Sequence, residues 1–148
     1  MVEIIVTIMI ILEMRTNMEC YGITTRLNVP PCSKPRMTQR DRWKKRQCVL
    51  DFFAFRDAVR QEKEDWSLIG KDFEYESFEI EFHIQMPKSW SLKKKDRCDG
   101  KPHQQRPDLD NLLKAWKDAV YEEDAVVWHI EATKLWTFGP GYIMVTKI

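Results

Sequence analysis

The segment FEIEFHIQM at residues 78–86 alternates apolar and polar side chains with a period of two. Successive side chains of a β-strand point to opposite faces of the sheet, so this alternation predicts a half-buried strand. Pro87 ends the strand because proline has no N–H to donate to the ladder. We expect His83 to lie on the polar face and to be exposed. The segment therefore predicts a sheet that packs one face against a second layer.

Helical patterns lie on both sides of this strand. Before it, residues 43–63 carry an apolar stripe at four- and three-residue steps, formed by Cys48, Phe52, Phe55 and Val59. After it, residues 110–121 follow the same spacing, and the apolar positions are Leu109, Leu112, Leu113, Trp116 and Val120. Residues 88–106 show no periodicity and predict a functional or mobile loop. Two main helices are therefore expected.

Three more strands complete the expected sheet. Residues 22–29 mix β-branched and apolar side chains and are ended by Pro30 and Pro31. Residues 125–136 predict a strand with one apolar face, made of Val126, Trp128, Ile130 and Ala132. The turn at residues 139–141 and a last strand at 142–148 predict a C-terminal hairpin. The order strand, helix, strand, helix, strand, strand predicts a single compact α/β (α+β) domain with a mixed sheet.

Length and composition agree with one globular domain. The chain has 148 residues, of which 43% are hydrophobic, which is enough for one core. Five glycines and seven prolines exclude a collagen-like or low-complexity chain. The four cysteines form no Cys-x-x-Cys pair, which disfavours structural zinc and indicates reduced thiols in a cytoplasmic protein.

Residues 4–12 form an apolar run whose role stays open. The run is about half the roughly 20 residues that a membrane-spanning helix needs. Glu3 and Glu13 flank it, and it has no basic n-region or cleavage site of a signal peptide, so we expect no membrane segment. It is either an extra strand or an extension upstream of the true start, since Met14 and Met18 follow. We therefore divide the chain into residues 1–18 and a domain at 19–148.

The near-neutral total charge conceals a segregated pattern. Lys and Arg number 24 and Asp and Glu 23, for a net charge of +1, but acidic residues concentrate between 57 and 81. Cations concentrate in a first basic segment (residues 34–46) and a second basic segment (residues 93–106). The predicted DNA-binding residues are Lys34, Arg36, Arg40, Arg42, Lys44, Lys45, Lys93, Lys94, Lys95, Lys101 and Arg106. Trp43 and Trp90 either stack on exposed bases or pack in the protein.

A carboxylate pair introduces the second predicted helix. Residues 106–114 read RPDLDNLLK. If Asp108 lies in extended chain and Asp110 in the first helical turn, both carboxylates can point into one space, whereas inside a continuous helix they would diverge. Lys114 follows Asp110 by one turn and could reach a phosphate.

A third carboxylate is expected from residues 122–124, where Asp124 is the first candidate and Glu123 the reserve. Oxygen-only donors suit Mg²⁺, which takes one or two carboxylates and fills its other positions with water and phosphate. The alternative is structural, because Asp is a common N-cap and Asp110, Lys114 and Asp118 could form a solvated salt-bridge ladder. The residues alone leave both interpretations open.

The RPDLDNLLK segment, followed by Asp118-Ala119-Val120 and the acidic residues 122–124, resembles the signature of RusA-like Holliday junction resolvases. SKPRMT at residues 33–38 is similar to the N-terminal part of phage and prophage members. The likeness extends from about Ile23 to the end of the chain. It implies a RusA-like fold and a homodimeric endonuclease that depends on Mg²⁺, with Mn²⁺ as a substitute. Such an enzyme cuts branched DNA at four-way junctions by paired nicks.

The resemblance also implies individual roles. Asp108, Asp110 and Asp124 match the metal-binding aspartates, and Lys114 matches the catalytic lysine. We expect 5′-phosphate and 3′-hydroxyl ends, in recombination and repair or in phage DNA processing. Two other classes remain as alternatives: a non-catalytic nucleic-acid-binding or assembly protein with structural acids, and a small metal-dependent phosphoesterase.

Overall fold

A computed structural model describes residues 22–148, so the two interpretations of residues 1–18 lie outside the described residues. The elements in chain order are β1 (Thr24–Leu27), α1 (Gln47–Leu68), β2 (Ser77–Gln85), α2 (Leu92–Cys98), α3 (Leu109–Val120), β3 (His129–Thr137) and β4 (Tyr142–Lys147). Short 3₁₀ turns occupy Gln39–Arg42 and Asp124–Val126. The expected mixed α/β class is confirmed.

The four strands form one mixed sheet in the order β1-β4-β2-β3. Strand β2 pairs with β3 in parallel and with β4 antiparallel. The predicted C-terminal hairpin is therefore wrong, because β2 lies between the last two strands. Segment 138–141 passes the end of β2, and a Cβ on Gly141 would lie 3.1 Å from the carbonyl oxygen of His83. Glycine allows this close crossing, and the central position gives β2 a hydrogen-bonded partner strand on both sides.

The core lies between one face of the sheet and the helices α1 and α3. Phe78, Ile80 and Phe82 of β2 are fully buried, together with Ile143 and Val145 of β4. They belong to one cluster with the buried stripes of the two helices, which consist of Phe52, Phe55, Val59, Leu112, Ala115, Trp116 and Ala119. The expected helical stripes are thus confirmed in the main.

The start of α1 differs from the expectation. The helix begins at Gln47 and not near Trp43, and Val49 is buried in the position expected for Cys48, which is exposed. Val49 lies beside the 3₁₀ turn, where it lines a depression with Met37 and Asp41. The segment around the 3₁₀ turn therefore covers Val49 in the first turn of α1 and leaves Cys48 exposed.

Two other predicted segments have different bounds. Residues 88–106 contain helix α2, which begins at the N-cap Ser91 and has no buried residue, so no apolar period indicates it. Strand β3 begins at His129 rather than Ala125, because Asp124–Val126 form a 3₁₀ turn. Val126 and Trp128 are consequently exposed, and the predicted apolar face is limited to Ile130 and Ala132.

His83 is buried, contrary to the expectation of an exposed strand residue. Its ring stacks on Tyr142 of the adjacent strand at a centroid distance of 4.1 Å. The Arg26 guanidinium lies over the Tyr142 ring, 3.8 Å from the ring centroid. Cross-strand stacking therefore covers a residue that the alternation alone assigns to the solvent.

The remaining general features concern thiols and membranes. Cys32, Cys48 and Cys98 are free, and Cys20 lies outside the described residues. Within residues 22–148, no helix has the length and apolar character needed to cross a membrane.

The packing of α3 predicts a clear contrast between two leucines. Leu112→Ala removes a fully buried side chain and should lower the free energy of unfolding by about 2–5 kcal/mol. Leu68→Ala, at the exposed end of α1, should change it by less than about 0.5 kcal/mol. Urea unfolding followed by circular dichroism measures both. Equal effects of the two substitutions would contradict this packing.

Candidate active site

Asp108 stands at the N-cap of α3, in extended backbone with φ −71° and ψ 144°. Its carboxylate makes no capping hydrogen bond, although Asp at this position usually bonds the first free N–H groups of a helix. Asp110 lies in the first turn of the same helix. The junction that a joint role of the two acids requires is therefore present, and Asp108 is not used as a cap.

Asp108 lines an open depression of about 550 Å³ together with Ser33, Arg106, Pro107 and Asn111. The wall formed by Ser33 is held against α3 by the next residue, Lys34, whose backbone N–H donates to the Asn111 carbonyl at 3.1 Å. The first basic segment therefore begins directly beside the two acids.

Lys134 of β3 fixes the chain that leads into α3. Its Nζ donates to the carbonyl oxygens of Gln105 and Pro107, at 2.6 Å each. The Arg106–Pro107 peptide bond between these acceptors is cis. Sequence reasoning missed Lys134, because a single lysine in a strand has no spacing that indicates a partner. Its two bonds position the residue immediately before Asp108.

Asp110 pairs with Lys114 one turn later. The Lys114 Nζ donates to Asp110 Oδ2 at 3.1 Å, and this hydrogen bond holds the pKa of Asp110 below its usual range. Asp110 is thus an ionised, exposed carboxylate at the helix start. Asp118 pairs with Lys34, so the salt-bridge ladder considered as the structural alternative is formed only between Asp110 and Lys114.

Asp124 and Glu123 have different partners beyond the end of α3. Asp124 Oδ2 lies 3.0 Å from Nζ of Lys117, on α3. The Glu123 side chain accepts a hydrogen bond from the Ala125 N–H and caps the short 3₁₀ turn. Lys117 follows Asp110 by seven residues, about 10 Å along the same helix face. Asp124 is therefore tied to that face, whereas Glu123 serves its own turn.

The structure brings Asp108, Asp110 and Lys114 to one end of α3, and it places Asp124 at the other end. Across residues 22–148, no group of three or more His, Cys, Asp or Glu side chains is arranged to hold a metal ion. The start of α3 thus carries two carboxylates, Asp108 without a capping hydrogen bond and Asp110 with Lys114 as its counter-ion.

Comparison with known protein families identifies the family of this chain. Residues 29–146 match the family model described as endodeoxyribonuclease RusA. The chain belongs to the RusA endodeoxyribonuclease family. The matched range includes the four residues of the predicted site, Asp108, Asp110, Lys114 and Asp124. A search of curated proteins found no significant match.

The family implies Holliday junction endonuclease activity in general, and cationic side chains surround the acids of this RusA family member. Most of the predicted DNA-binding residues are exposed, whereas Lys34 and Lys95 are half-buried. Lys34 is held by Asp118, and Lys94 lies 3.9 Å above the Trp90 ring. Trp90 itself packs on Trp136 at a centroid distance of 4.8 Å. Of the two interpretations given for the tryptophans, stacking on DNA bases and packing in the protein, packing therefore applies to Trp90.

The second basic segment is attached to the edge of β3. Backbone hydrogen bonds run from Gly100 N to Trp136 O, from Trp136 N to Lys101 O and from His103 N to Lys134 O. His103 is buried, with its ring 4.0 Å from that of Trp136. Its Nδ1 has no hydrogen-bond partner among the described residues. A lone histidine in a polar stretch carries no pattern, so the sequence did not single it out.

Burial of His103 predicts a loss of stability in mild acid. Burial lowers the pKa of His103 from its ordinary value of 6.5, and the nearby Lys134 adds to the effect. The unfolded chain therefore binds this proton first as the pH falls below about 6.5, which favours unfolding. The free energy of unfolding should decrease from pH 7 to pH 5, and it should decrease less in His103→Phe. Urea unfolding at the two pH values tests this.

An NMR titration of the His103 ring provides the direct check. A midpoint at or above pH 6.5 in the folded protein would refute the expected direction.

Proposed function

We propose that the chain is a divalent-metal-dependent endonuclease that resolves four-way DNA junctions by paired symmetric nicks. The observation that carries the proposal is the uncapped Asp108 next to the ionised Asp110 at the start of α3, inside the RusA family match. The family supplies the reaction class, and the helix end supplies residues that suit it. The expected products have 5′-phosphate and 3′-hydroxyl ends.

The donor chemistry of this helix end fits Mg²⁺, with Mn²⁺ as a substitute. Mg²⁺ commonly takes one or two carboxylates and keeps several waters, so Asp108 and Asp110 supply enough protein ligands for it to bind. Asp124 is the proposed third ligand, because its ion pair with Lys117 directs it along the helix face that carries Asp110, whereas Glu123 caps its own 3₁₀ turn. Metal binding by Asp124 would replace its ion pair with Lys117. When bound, the metal supplies an acidic water and neutralises charge on the phosphate.

The chain's own residues orient and neutralise the substrate. Lys114 is exposed and lies one turn from the two acids, so we assign it to the charge that develops on the scissile phosphate. The N-terminus of α3 contributes its free N–H groups, which favour an anion. Lys134 and Lys34 act as positioning residues, since they hold the two chain segments that flank Asp108.

Branched DNA would be bound by the two basic segments through phosphate contacts. Paired nicks on opposing strands require two sites, which a homodimer with a two-fold axis provides. We accordingly propose a homodimer that acts in the cytoplasm, in recombination and repair or in phage DNA processing.

One observation favours a second candidate, a nucleic-acid-binding protein without nuclease activity. Asp110 and Asp124 are each paired with a lysine, and residues 22–148 hold no group of three metal-ligating side chains. Incubation of a labelled four-way junction with and without Mg²⁺ separates the two functions. Symmetric nicks that EDTA abolishes support the endonuclease, whereas a salt-sensitive mobility shift without nicks supports the binding protein.

Asp110→Asn should separate binding from cleavage. The substitution keeps the size of the side chain but removes its charge, so nicking should fall by more than about 100-fold. Junction affinity in EDTA should stay within about twofold. Asp57→Asn, an exposed acid on α1, is the matched control and should nick at the wild-type rate. Near-normal nicking by pure Asp110→Asn protein would reject the proposed site.

A paired substitution tests the choice of the third ligand. Asp124→Asn should reduce nicking strongly and raise the Mg²⁺ concentration needed for half-maximal rate, whereas Glu123→Gln should leave both close to wild type. Initial rates across a Mg²⁺ titration measure the two quantities. The opposite ranking of the two variants would assign the third ligand to Glu123.

A further inference from the structure

Trp43 is the most exposed of the large hydrophobic residues that the structure describes, with 91% of its surface accessible. Aromatic side chains ordinarily bury 150–250 Å² in a core or an interface. Trp43 lies within the first basic segment, between the 3₁₀ turn Gln39–Arg42 and helix α1. The Trp43 side chain therefore contributes almost nothing to the packing of residues 22–148.

The turn that presents Trp43 is firmly built. The buried Asp41 accepts hydrogen bonds from the Thr38 N–H at 2.7 Å and from the Thr38 hydroxyl at 2.9 Å. Arg46 donates to both carboxylate oxygens of Asp41, at 3.1 and 3.0 Å, and to the Arg36 carbonyl at 2.6 Å. These bonds tie residues 36–46 into one unit. Trp43 is thus held out by an ordered turn and is not the tip of a loose loop.

The backbone of Trp43 belongs to this unit, since its N–H donates to the Arg40 carbonyl at 3.0 Å. The indole forms part of an open depression of about 410 Å³, whose other lining residues are Arg40, Lys44, Lys45 and Arg46. Within the described part of the chain, the ion pairs include Arg46 but not Arg40, Lys44 or Lys45. An exposed aromatic ring beside Arg40, Lys44 and Lys45, three cations without an acidic partner in the described residues, is complementary to a polyanion.

Nucleic acid fits both parts of this surface. Cations contact phosphates, and a single aromatic ring offers its face to one planar base. Bases in a continuous duplex are already stacked on their neighbours, so only a base at a branch point or a distortion is available to such a ring. The first basic segment also begins at Lys34, which is bonded to α3, so the turn and the proposed active site share one stretch of chain.

We propose that Trp43 is a base-stacking site that holds an unstacked nucleobase at the branch point of the bound DNA. The proposal rests on the proposed function, because a branch point is the substrate feature that supplies such a base. Trp90 is not a second site of this kind, because its ring packs on Trp136.

The test compares binding of a four-way junction and of a linear duplex of the same sequence, both in EDTA so that cleavage plays no part. Trp43→Ala should weaken junction binding by about tenfold, in the range of base–aromatic stacking, and should leave duplex binding within about twofold. Trp43→Phe should recover most of the junction affinity. Trp128→Ala is the matched control, since Trp128 is exposed as well but lies before β3.

A spectroscopic readout reports the stacking itself. With 2-aminopurine at the branch point, wild-type protein should quench the fluorescence on binding, and Trp43→Ala should not. Thermal unfolding of Trp43→Ala should match wild type, because the side chain is exposed. Equal losses on junction and duplex, no loss on either, or the same loss in Trp128→Ala would each overturn the proposal.

A bulged duplex carrying 2-aminopurine distinguishes this proposal from the proposed function. If wild-type protein neither prefers nor cuts four-way junctions but quenches the bulged base in a Trp43-dependent way, the stacking site stands and the junction specificity fails. Quenching that persists in Trp43→Ala overturns the stacking site, whatever the outcome of the cleavage assays.

Discussion

The buried face of α3 packs in the same core as the apolar face of β2, and the position of every proposed catalytic group depends on this packing. Leu112, Ala115 and Trp116 are fully buried, and the Trp116 ring lies 5.7 Å from that of Phe73. The helix is thereby fixed in rotation about its axis. Asp110, Lys114 and Lys117 lie on its outer face because the inner face is occupied.

Lysines and arginines perform structural work around this helix that the charge totals do not indicate. Lys134 binds backbone carbonyls ahead of Asp108, Lys34 pairs with Asp118, and Arg46 is engaged with Asp41. Arg60 and Lys63 likewise donate to the last carbonyls of α3, where positive charge is favoured. In the proposed function, the cations left to contact DNA are chiefly those of the 3₁₀ turn, of α2 and of the segment up to Arg106.

Sequence patterns predicted the elements whose burial is periodic. They failed where contacts between residues distant in the chain determine strand order or burial. The alternation in β2 and the apolar stripe of α3 predicted the bounds of both elements closely, and the predicted junction between extended chain and helix is found at Asp108. Helix α2 buries no residue and therefore leaves no periodic signal. The position of β4, the stacking of His83 on Tyr142 and the attachment of Asp124 to Lys117 depend on partners distant in the chain. No local pattern contains them.

The place of β4 in the sheet has a consequence for the order in which the fold forms. Strand β1 is joined to the described sheet through β4 alone, and the hydroxyls of Thr24 and Thr146 that meet there are 122 residues apart. Among the described strands, β1 therefore has no partner until β4 is in place, and until then β2 is paired on one side only. Closure of such distant contacts is slow relative to local helix formation. We therefore expect β4 to join the described sheet after the helices have formed, so the sheet edge that carries β1 is the last part of this sheet to be completed.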